Sequence, residues 1–287
     1  MLVIHTIKEI RELLASWRKE GKTIGFVPTM GYLHQGHFSL IEEASKQCHR
    51  VVVSIFVNPL QFGQGEDYEE YPRDLSRDAN GAEEAGGQVI FAPSVAEMYP
   101  RGFKTFTEVE GITDKLCGAS RPGHFRGVCT VVNKLLNIIQ PEQAFFGQKD
   151  AQQVAVIKAM VRDLNLPVEI KVVPIVREAD GLAMSSRNVY LSCEERKAAL
   201  VLSKALAEAK QLILAGERNT GIIKKMMEKI IKQEEMVRID YIAVCQGPDL
   251  LEEEELAAEG EALLALAAFL GNTRLIDNAL VIFGSAS

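Results

Sequence analysis

Two histidines three residues apart, His34 and His37, stand in the stretch Pro28-Thr29-Met30-Gly31-Tyr32-Leu33-His34-Gln35-Gly36-His37, and the chain has only five histidines in all. Imidazole N–H groups can donate to phosphate oxygens and stabilise charge that develops at phosphorus. Gly31 and Gly36 would let backbone approach a bound group closely. The stretch follows an apolar run, Ile24–Val27, that reads as a strand. It leads into Gly36–Cys48, which reads as a helix with Leu40, Ile41 and Ala44 turned inward. In an open parallel sheet ligands bind at the carboxyl ends of strands, and helix N-termini point N–H groups at anions. That location outweighs the competing reading, a surface turn with two incidental histidines. A zinc HxxH pair is a weaker rival, since no third ligand stands nearby. Two nucleotide motifs fail: Gly21-Lys22-Thr23 has Ser16 where a P-loop needs glycine and precedes the first strand read here, and no GxGxxG opens a helix.

Four further stretches carry polar groups at strand ends or loops. Asn58 and Gln61, in Val57-Asn58-Pro59-Leu60-Gln61-Phe62-Gly63, offer two amides to a small polar organic acid directly after the run Val51–Val57; taken alone, this is a turn. In Phe146-Gly147-Gln148-Lys149-Asp150-Ala151-Gln152-Gln153, Lys149 can reach a phosphate as a mobile point charge, while Asp150 and Gln153 also match a plain helix-capping pair. Met184-Ser185-Ser186-Arg187-Asn188 puts two hydroxyls and a guanidinium after a Gly181-containing loop, a set that suits phosphate oxygens. Arg121 to Val128, with two arginines and a histidine, reads first as a surface loop and second as a cover or anion contact.

The elements that must position these groups follow from periodicity. Thr6-Ile7-Lys8-Glu9 reads as a capping box opening a helix through Ile10, Leu13, Leu14 and Trp17, stopped near Gly21. The β-branched run Val51–Val57 marks a strand covered on both faces. Helices are expected at Arg73–Ala85, Val131–Ile139 and Ala151–Leu164, and strands at Val89–Ala92, Ala144–Phe146 and Ile170–Val176. This alternation predicts an α/β fold, a Rossmann-like doubly wound parallel sheet with right-handed crossovers. After about residue 180 the pattern changes. A capping box at Ser192–Glu195 opens a helix through Leu214, a second helix spans Thr220–Gln233, and strands follow at Arg238–Val244 and Ala262–Phe269. Glu252–Glu255 reads as a solvated helix start. The expected division is 1–176, a nucleotide- and acid-binding domain, and 177–287, a smaller α+β domain that closes over the site.

Composition narrows the class. The chain has 287 residues, 47% hydrophobic and 25% charged, which excludes disorder as the main state. A net charge of −7 argues against a broad nucleic-acid footprint but leaves room for a local positive pocket. Apolar runs such as Leu263–Leu270 fall far short of the ~20 residues of a spanning helix, and His5 interrupts any signal-peptide core. Five cysteines without a CxxC pair fit a reduced compartment, each expected as a small buried hydrophobe.

Taken together, PTMGYLHQGH (28–37), VSIFVNPLQFG (53–63), GVCTVVNKLLN (127–137), FGQKDAQQ (146–153), DGLAMSSRN (180–188) and NTRLIDN (272–278) resemble the pantoate–β-alanine ligase family, within the adenylate-forming nucleotidyltransferase superfamily marked by HxGH. The resemblance runs in family order over nearly the whole chain; only Tyr32 departs, where a small residue is common. It implies that pantoate attacks the α-phosphorus of ATP, that pyrophosphate leaves, and that β-alanine then displaces AMP from the pantoyl adenylate, giving the coenzyme A precursor. The roles it implies place Met30, Gly31, Tyr32, Leu33, His34, Gln35, Gly36 and His37 around ATP, with His34, His37 and Lys149 catalytic. It adds Gly147, Gln148, Lys149, Asp150, Val176 (through its backbone), Met184, Ser185, Ser186 and Arg187 to the ATP site. Gln61, Gln153 and Asn58 would serve pantoate, and Gln61 also β-alanine. It implies Mg²⁺ carried with ATP, no protein-held metal and a homodimer, while charge, apolar-run length and cysteine usage lead to the expectation of no nucleic-acid or membrane partner and a cytoplasmic setting. Two other readings are weighed against it: a histidine-class nucleotidyltransferase for a cytidyl or pyridine nucleotide, opposed by NPxQF and MSSRN, and a nucleotide-sensing module without turnover, opposed by the retained histidines, Lys149 and the Ser-Ser-Arg turn.

Overall fold

A parallel sheet requires each strand to be followed by a crossover that returns the chain to the same end, and helices supply these crossovers. The computed structural model describes residues 1–63, 65–66 and 68–284. In chain order the first unit runs β1 (Leu2–Ile4), α1 (Ile7–Lys19), β2 (Ile24–Thr29), α2 (Gln35–Gln47), β3 (Arg50–Ile55), α3 (Leu75–Glu84) and β4 (Val89–Phe91). It continues with the single turns α4 (Val95–Met98) and α5 (Cys117–Ser120), then α6 (His124–Ile139), β5 (Gln143–Gly147), α7 (Ala151–Asp163) and β6 (Glu169–Val173). The spatial order is β1-β4-β3-β2-β5-β6, and every neighbouring pair is parallel. From β2 the chain winds outward through β3 and β4, then α6 carries it back to β5 on the other side of β2. The direction of winding therefore reverses between β2 and β5, and the loops that leave their carboxyl ends diverge there. That is the switch point where doubly wound sheets take ligands.

The sheet sits where apolar side chains demand cover. Val51, Val52 and Val53 are completely buried, as a doubly covered strand requires. Val27, Leu33, Leu40, Ile41, Ala44, Val53, Ile90 and Phe145 form one continuous core beneath α2. The expected strand Ile170–Val176 stops at Val173, because Pro174 has no N–H to continue the ladder. The strand expected at Val51–Val57 ends at Ile55, just before Pro59 opens a 3-10 turn. Thr6 caps α1 by accepting from the Glu9 N–H, but the reciprocal half of the box is absent. The Glu9 carboxylate takes the Thr6 hydroxyl, and the Ile7 N–H donates to Glu97.

The chain forms two compact units, the first of residues 1–148 and 156–174, the second of Lys149–Ala155 with the chain from Ile175 onward. The second unit carries α8 (Cys193–Leu214), α9 (Thr220–Ile231), and the antiparallel sheet β7 (Val237–Gln246), β8 (Gly260–Leu270) and β9 (Thr273–Phe283). Ser192 and Glu195 make the expected capping box. Ala205, Leu206, Ala209 and Ile213 of α8 pack with Ile223 and Met227 of α9 and with Leu264 and Leu266 of β8.

Several expectations are corrected. β1 and β9 are not among the expected strands. β1 is three residues long, too short for a period to register, and it places a strand ahead of Gly21. β9 hides its strand character behind Arg274, Asp277 and Asn278. Glu252–Glu255 does not start a helix; its backbone lies beside the N-terminus of α9, where Thr220 donates its hydroxyl to the Glu253 carbonyl (2.6 Å) and its N–H to the Glu254 carbonyl (3.0 Å). Carboxylates gain there from the helix dipole. The surface loop expected over Arg121–Val128 gives way at His124 to α6, entered through Gly123 in the left-handed region (φ 82°). Cys48, Cys129 and Cys245 are buried, but Cys193 is exposed at the first turn of α8, and Cys117 lies between.

Candidate functional site

The histidine stretch leaves the carboxyl end of β2 through two successive left-handed residues, Gly31 (φ 90°) and Tyr32 (φ 52°). The second is strained, because a side chain in this region crowds its own carbonyl. Helix α2 then begins with His34 as its N-cap. The His34 Nδ1 accepts from the Gly36 N–H at 3.1 Å, and the His34 N–H donates to the His37 Nδ1 at 3.3 Å, so the two imidazoles form a capping box. Their ring centroids are 4.1 Å apart and tilted by 43°. With both Nδ1 atoms accepting, a neutral ring carries its proton on Nε2. The fold thus holds two imidazoles together at a helix N-terminus, which is a set of groups for an anion. Gly36 is required by closeness: a Cβ there would lie 2.9 Å from His34 Cε1 and 3.0 Å from its Nδ1.

Two residues that the sequence reading missed hold this turn. Asp78 of α3, only 1% exposed, accepts from the N–H groups of Tyr32 and Leu33, both at 2.7 Å. Arg77 donates to the Leu33 carbonyl at 3.0 Å and lies 4.6 Å over the Tyr32 ring.

At the carboxyl end of β3, Asn58 is buried and fully engaged. Its Nδ2 donates to Gln61 Oε1 and to the Gly127 carbonyl, each at 3.1 Å, and its Oδ1 accepts from the Leu60 N–H (3.3 Å) and the Tyr99 hydroxyl (2.8 Å). Asn58 therefore stands behind Gln61 as its support. Burial pushes the Tyr99 phenol up, which keeps it a donor. Gln61 is half-buried, and its Nε2 lies 3.1 Å from the Met30 sulfur, which joins the amide stretch to the histidine stretch. The Gln61 carbonyl accepts from His124 Nδ1 at 2.8 Å. Arg121 reaches His124 Nε2 (3.2 Å) and forms a two-pronged ion pair with Glu66. Burial would push the Glu66 carboxyl up, but the hydrogen bonds and charge of Arg121 hold it below the usual carboxylate range. Helix α6 closes on this turn with no side chain between: a Cβ on Gly127 would meet the Leu60 carbonyl oxygen at 2.2 Å and Gln61 Cα at 2.6 Å.

Gly147 and Gln148 leave β5 on the other side of the switch point. The first unit thus brings Met30–His37, Asn58, Gln61, Gly147 and Gln148 to the carboxyl ends of β2, β3 and β5.

The second unit holds the remaining expected residues. Lys149 and Asp150 stand 3.7 Å apart in a 3-10 turn, and Gln153 follows in α7. The Lys149 carbonyl accepts from Asn278 Nδ2 at 2.9 Å. Asn278 is 3% exposed on β9 beside Asp277, whose carboxylate takes both Nη atoms of Arg177 at 2.7 and 2.9 Å. Arg177, Asp277 and Asn278 were missed as positioning residues. The signal was a polar pair inside the otherwise apolar run Leu275–Val281. Residues 177 and 183 pair across a hairpin, and the Val176 carbonyl accepts the Met184 N–H at 3.0 Å. Ser185 caps the 3-10 helix Ser186–Tyr190 by accepting from the Arg187 N–H, and Arg196 braces the hairpin through Glu178 and Asp180, each at 2.7 Å. Among the described residues no three His, Cys, Asp or Glu side chains are grouped to hold a metal ion, and no helix is long and apolar enough to cross a membrane.

Residues 2–280 match the family model described as pantoate-beta-alanine ligase. The chain is 59% identical over 281 residues to a pantothenate synthetase of Heliobacterium modesticaldum, covering 98% of this chain and 99% of that protein. It is 57% identical, with the same coverage, to a pantothenate synthetase of Pelotomaculum thermopropionicum. Among solved structures, a pantothenate synthetase of Thermus thermophilus aligns with a TM-score of 0.91 at 47% identity, covering 97% of this chain and 99% of that one. The pantoate-beta-alanine ligase of Francisella tularensis, solved with beta-gamma ATP and beta-alanine, aligns with a TM-score of 0.78 at 36% identity, covering 98% and 97%.

Proposed function

The chain belongs to the pantoate–β-alanine ligase family, and from that premise we infer how its residues divide the work of the reaction. It is an enzyme that joins pantoate to β-alanine at the expense of ATP. We propose the following course. A pantoate carboxylate oxygen attacks the α-phosphorus, the bond to the bridging oxygen breaks, and pyrophosphate leaves with that electron pair. The β-alanine amine then attacks the acyl carbon, the acyl–oxygen bond breaks, AMP leaves, and the amine proton passes to solvent. Activation as an adenylate turns a poor leaving group into a good one. The protein's part is then to align reactants and neutralise phosphate charge.

The observation that carries this reading is the His34–His37 capping box, two imidazoles at a helix N-terminus beside the switch point. We assign His34 and His37 to the phosphates, where charge grows as pyrophosphate departs. Met30 to Gly36, Gly147 and Gln148 would line the nucleotide from the first unit. Lys149, Asp150, Val176 and Met184 to Arg187 would serve it from the second, with Lys149 as a third cationic or donor group at the phosphates. Gln61, supported by Asn58, would bind pantoate and then β-alanine, and Gln153 would hold pantoate. On this assignment most ATP and pantoate contacts fall within residues 1–176, among them Lys149, Asp150 and Gln153 of the second compact unit, and residues 177–287 close over the site through Met184 to Arg187. Mg²⁺ would arrive with ATP, held by phosphate oxygens and water. A homodimer in the cytoplasm is the setting we propose by family analogy.

The test is product analysis. Purified protein with Mg-ATP should release AMP and pyrophosphate only when pantoate and β-alanine are both present in steady state. No AMP under these conditions would overturn the assignment. Pyrophosphate release from ATP with nicotinamide mononucleotide in place of pantoate would move the chain to a different nucleotidyltransferase activity.

A further inference from the structure

Asp78 has no role in the course above, yet it makes short, buried contacts to the histidine stretch. It lies on α3, outside every sequence motif of the site. Both of its oxygens are used: Oδ2 accepts the Tyr32 N–H and Oδ1 accepts the Leu33 N–H, each at 2.7 Å. These two N–H groups belong to the turn that must hold Gly31 and then Tyr32 in the left-handed region, at φ 90° and 52°. Such a pair of backbone conformations persists only where surrounding contacts over-determine it. The remaining contacts converge on the same turn. Thr29 Oγ1 accepts the Gly31 N–H at 3.1 Å, Arg77 donates to the Leu33 carbonyl, and the Arg77 guanidinium covers the Tyr32 ring. The residue that follows is His34, the cap whose ring orientation rests on where its own backbone enters α2.

We propose that Asp78 is a positioning residue for the phosphate-contacting pair. Its carboxylate clamps the Tyr32 and Leu33 N–H groups, fixes the left-handed turn, and so sets the register in which His34 and His37 meet the nucleotide. The geometry asks for a carboxylate in particular. Two parallel N–H donors need two acceptors, which an ionised carboxyl offers and a carboxamide does not. Asn at this place would turn an NH₂ group against one of the two N–H donors. Burial pushes the Asp78 carboxyl up, opposed by the two N–H bonds and by Arg77; Asp74 is the other charged neighbour and adds to the rise. The fold thus keeps a group whose charge is disfavoured there, for the sake of two backbone contacts beside the site.

This inference rests on the reading that His34 and His37 serve the adenylation step. The experiment therefore separates the two half-reactions in the wild type and in Asp78→Asn. Wild-type exchange of labelled pyrophosphate into ATP, dependent on pantoate, secures that reading first. Asp78→Asn should then lower the exchange rate constant by about 10²-fold, the scale of a misplaced reacting group. Its rate of pantothenate formation from supplied pantoyl adenylate and β-alanine should fall by less than about threefold, since that half-reaction places no new charge on the departing pyrophosphate. Equal loss in both half-reactions, or full exchange activity in a folded Asp78→Asn protein, would overturn the positioning role. Absence of exchange in the wild type would strike the adenylation reading instead. Should Asp78→Asn not fold, amide hydrogen exchange on the wild type still decides. The Tyr32 and Leu33 amides should be protected at least about 10²-fold over an open loop, and open-loop rates at both would overturn the clamp.

Discussion

Gly127→Ala places two opposed effects on one atom, and the structure says which wins. Gly127 sits inside α6 with helical backbone, so alanine there gains about 1 kcal/mol of helix propensity. Against this, the new Cβ would lie 2.2 Å from the Leu60 carbonyl oxygen and 2.6 Å from Gln61 Cα, both backbone atoms with no rotamer to change. Ordinary van der Waals contact begins at 3.4 Å, so the Leu60–Gln61 turn must retreat by about 1 Å. Overpacking of this kind costs about 1–3 kcal/mol, enough to cancel the propensity gain and exceed it. The displacement also breaks register between Asn58 and its two partners, Gln61 Oε1 on this turn and the Gly127 carbonyl of α6. A misplacement of about 1 Å at a substrate-positioning group costs on the order of 10²-fold. The expected result is a kcat/KM for pantoate lowered by about 10²-fold, with KM for ATP changed by less than about threefold and a Tm lowered by several degrees. Steady-state kinetics with each substrate varied in turn, together with a thermal melt, read all three. A higher Tm with unchanged pantoate kinetics would show that α6 and the Gln61 turn do not meet as described.

The other predictions concern the site's own side chains and an ion pair at its edge. His37→Ala should lower turnover by about 10²–10³-fold with the fold retained, since one transition-state donor is lost; an unfolded variant would make His37 structural. His34→Ala should cost a similar factor and also about 0.5–2 kcal/mol of stability, because the same ring caps α2; chemical denaturation checks the second part. Gln61→Ala should raise KM for pantoate more than KM for ATP, and equal losses would remove Gln61 from the acid pocket. The Glu66–Arg121 pair should stabilise the fold in a defined pH window. With the Glu66 carboxyl held below its ordinary value of 4.5, its contribution is fully present above that pH and is lost as pH falls through the lowered folded value. The gap in urea midpoint between wild type and Arg121→Ala should therefore be widest at neutral pH and narrow below pH 4.5; a constant gap would mean the ion pair does not form.

Much of this was legible in the sequence, for identifiable reasons. Continuous β-branched runs such as Val51–Val53 and the 3.6-residue spacing of Leu40, Ile41 and Ala44 report burial directly, so the parallel sheet and α2 follow from composition and period. The histidine stretch is legible because its residue types, spacing and place between strand and helix agree. What escaped was set by contacts between distant segments. Asp78 looks like any acidic residue on an amphipathic helix, and only the fold shows that it is buried against a turn 45 residues away. Asn278 holds the Lys149 carbonyl across 129 residues, and the Asp277–Asn278 pair inside an apolar run signals a role without revealing which distant segment it holds. β9 escapes for the same reason: Asp277 and Asn278 break its apolar pattern, and they do so because they have structural work at the second unit's candidate residues. The run Glu252–Glu255 misleads because its energetics belong to the N-terminus of α9, a neighbour that the local sequence does not reveal.

The most direct test of the central claim, that the histidine pair promotes attack of pantoate on the α-phosphorus, is isotope exchange without β-alanine. Labelled pyrophosphate should enter ATP when pantoate is present and not when it is omitted, and His37→Ala should slow that exchange by the same factor as overall turnover. Exchange independent of pantoate, or undiminished in His37→Ala, would contradict it.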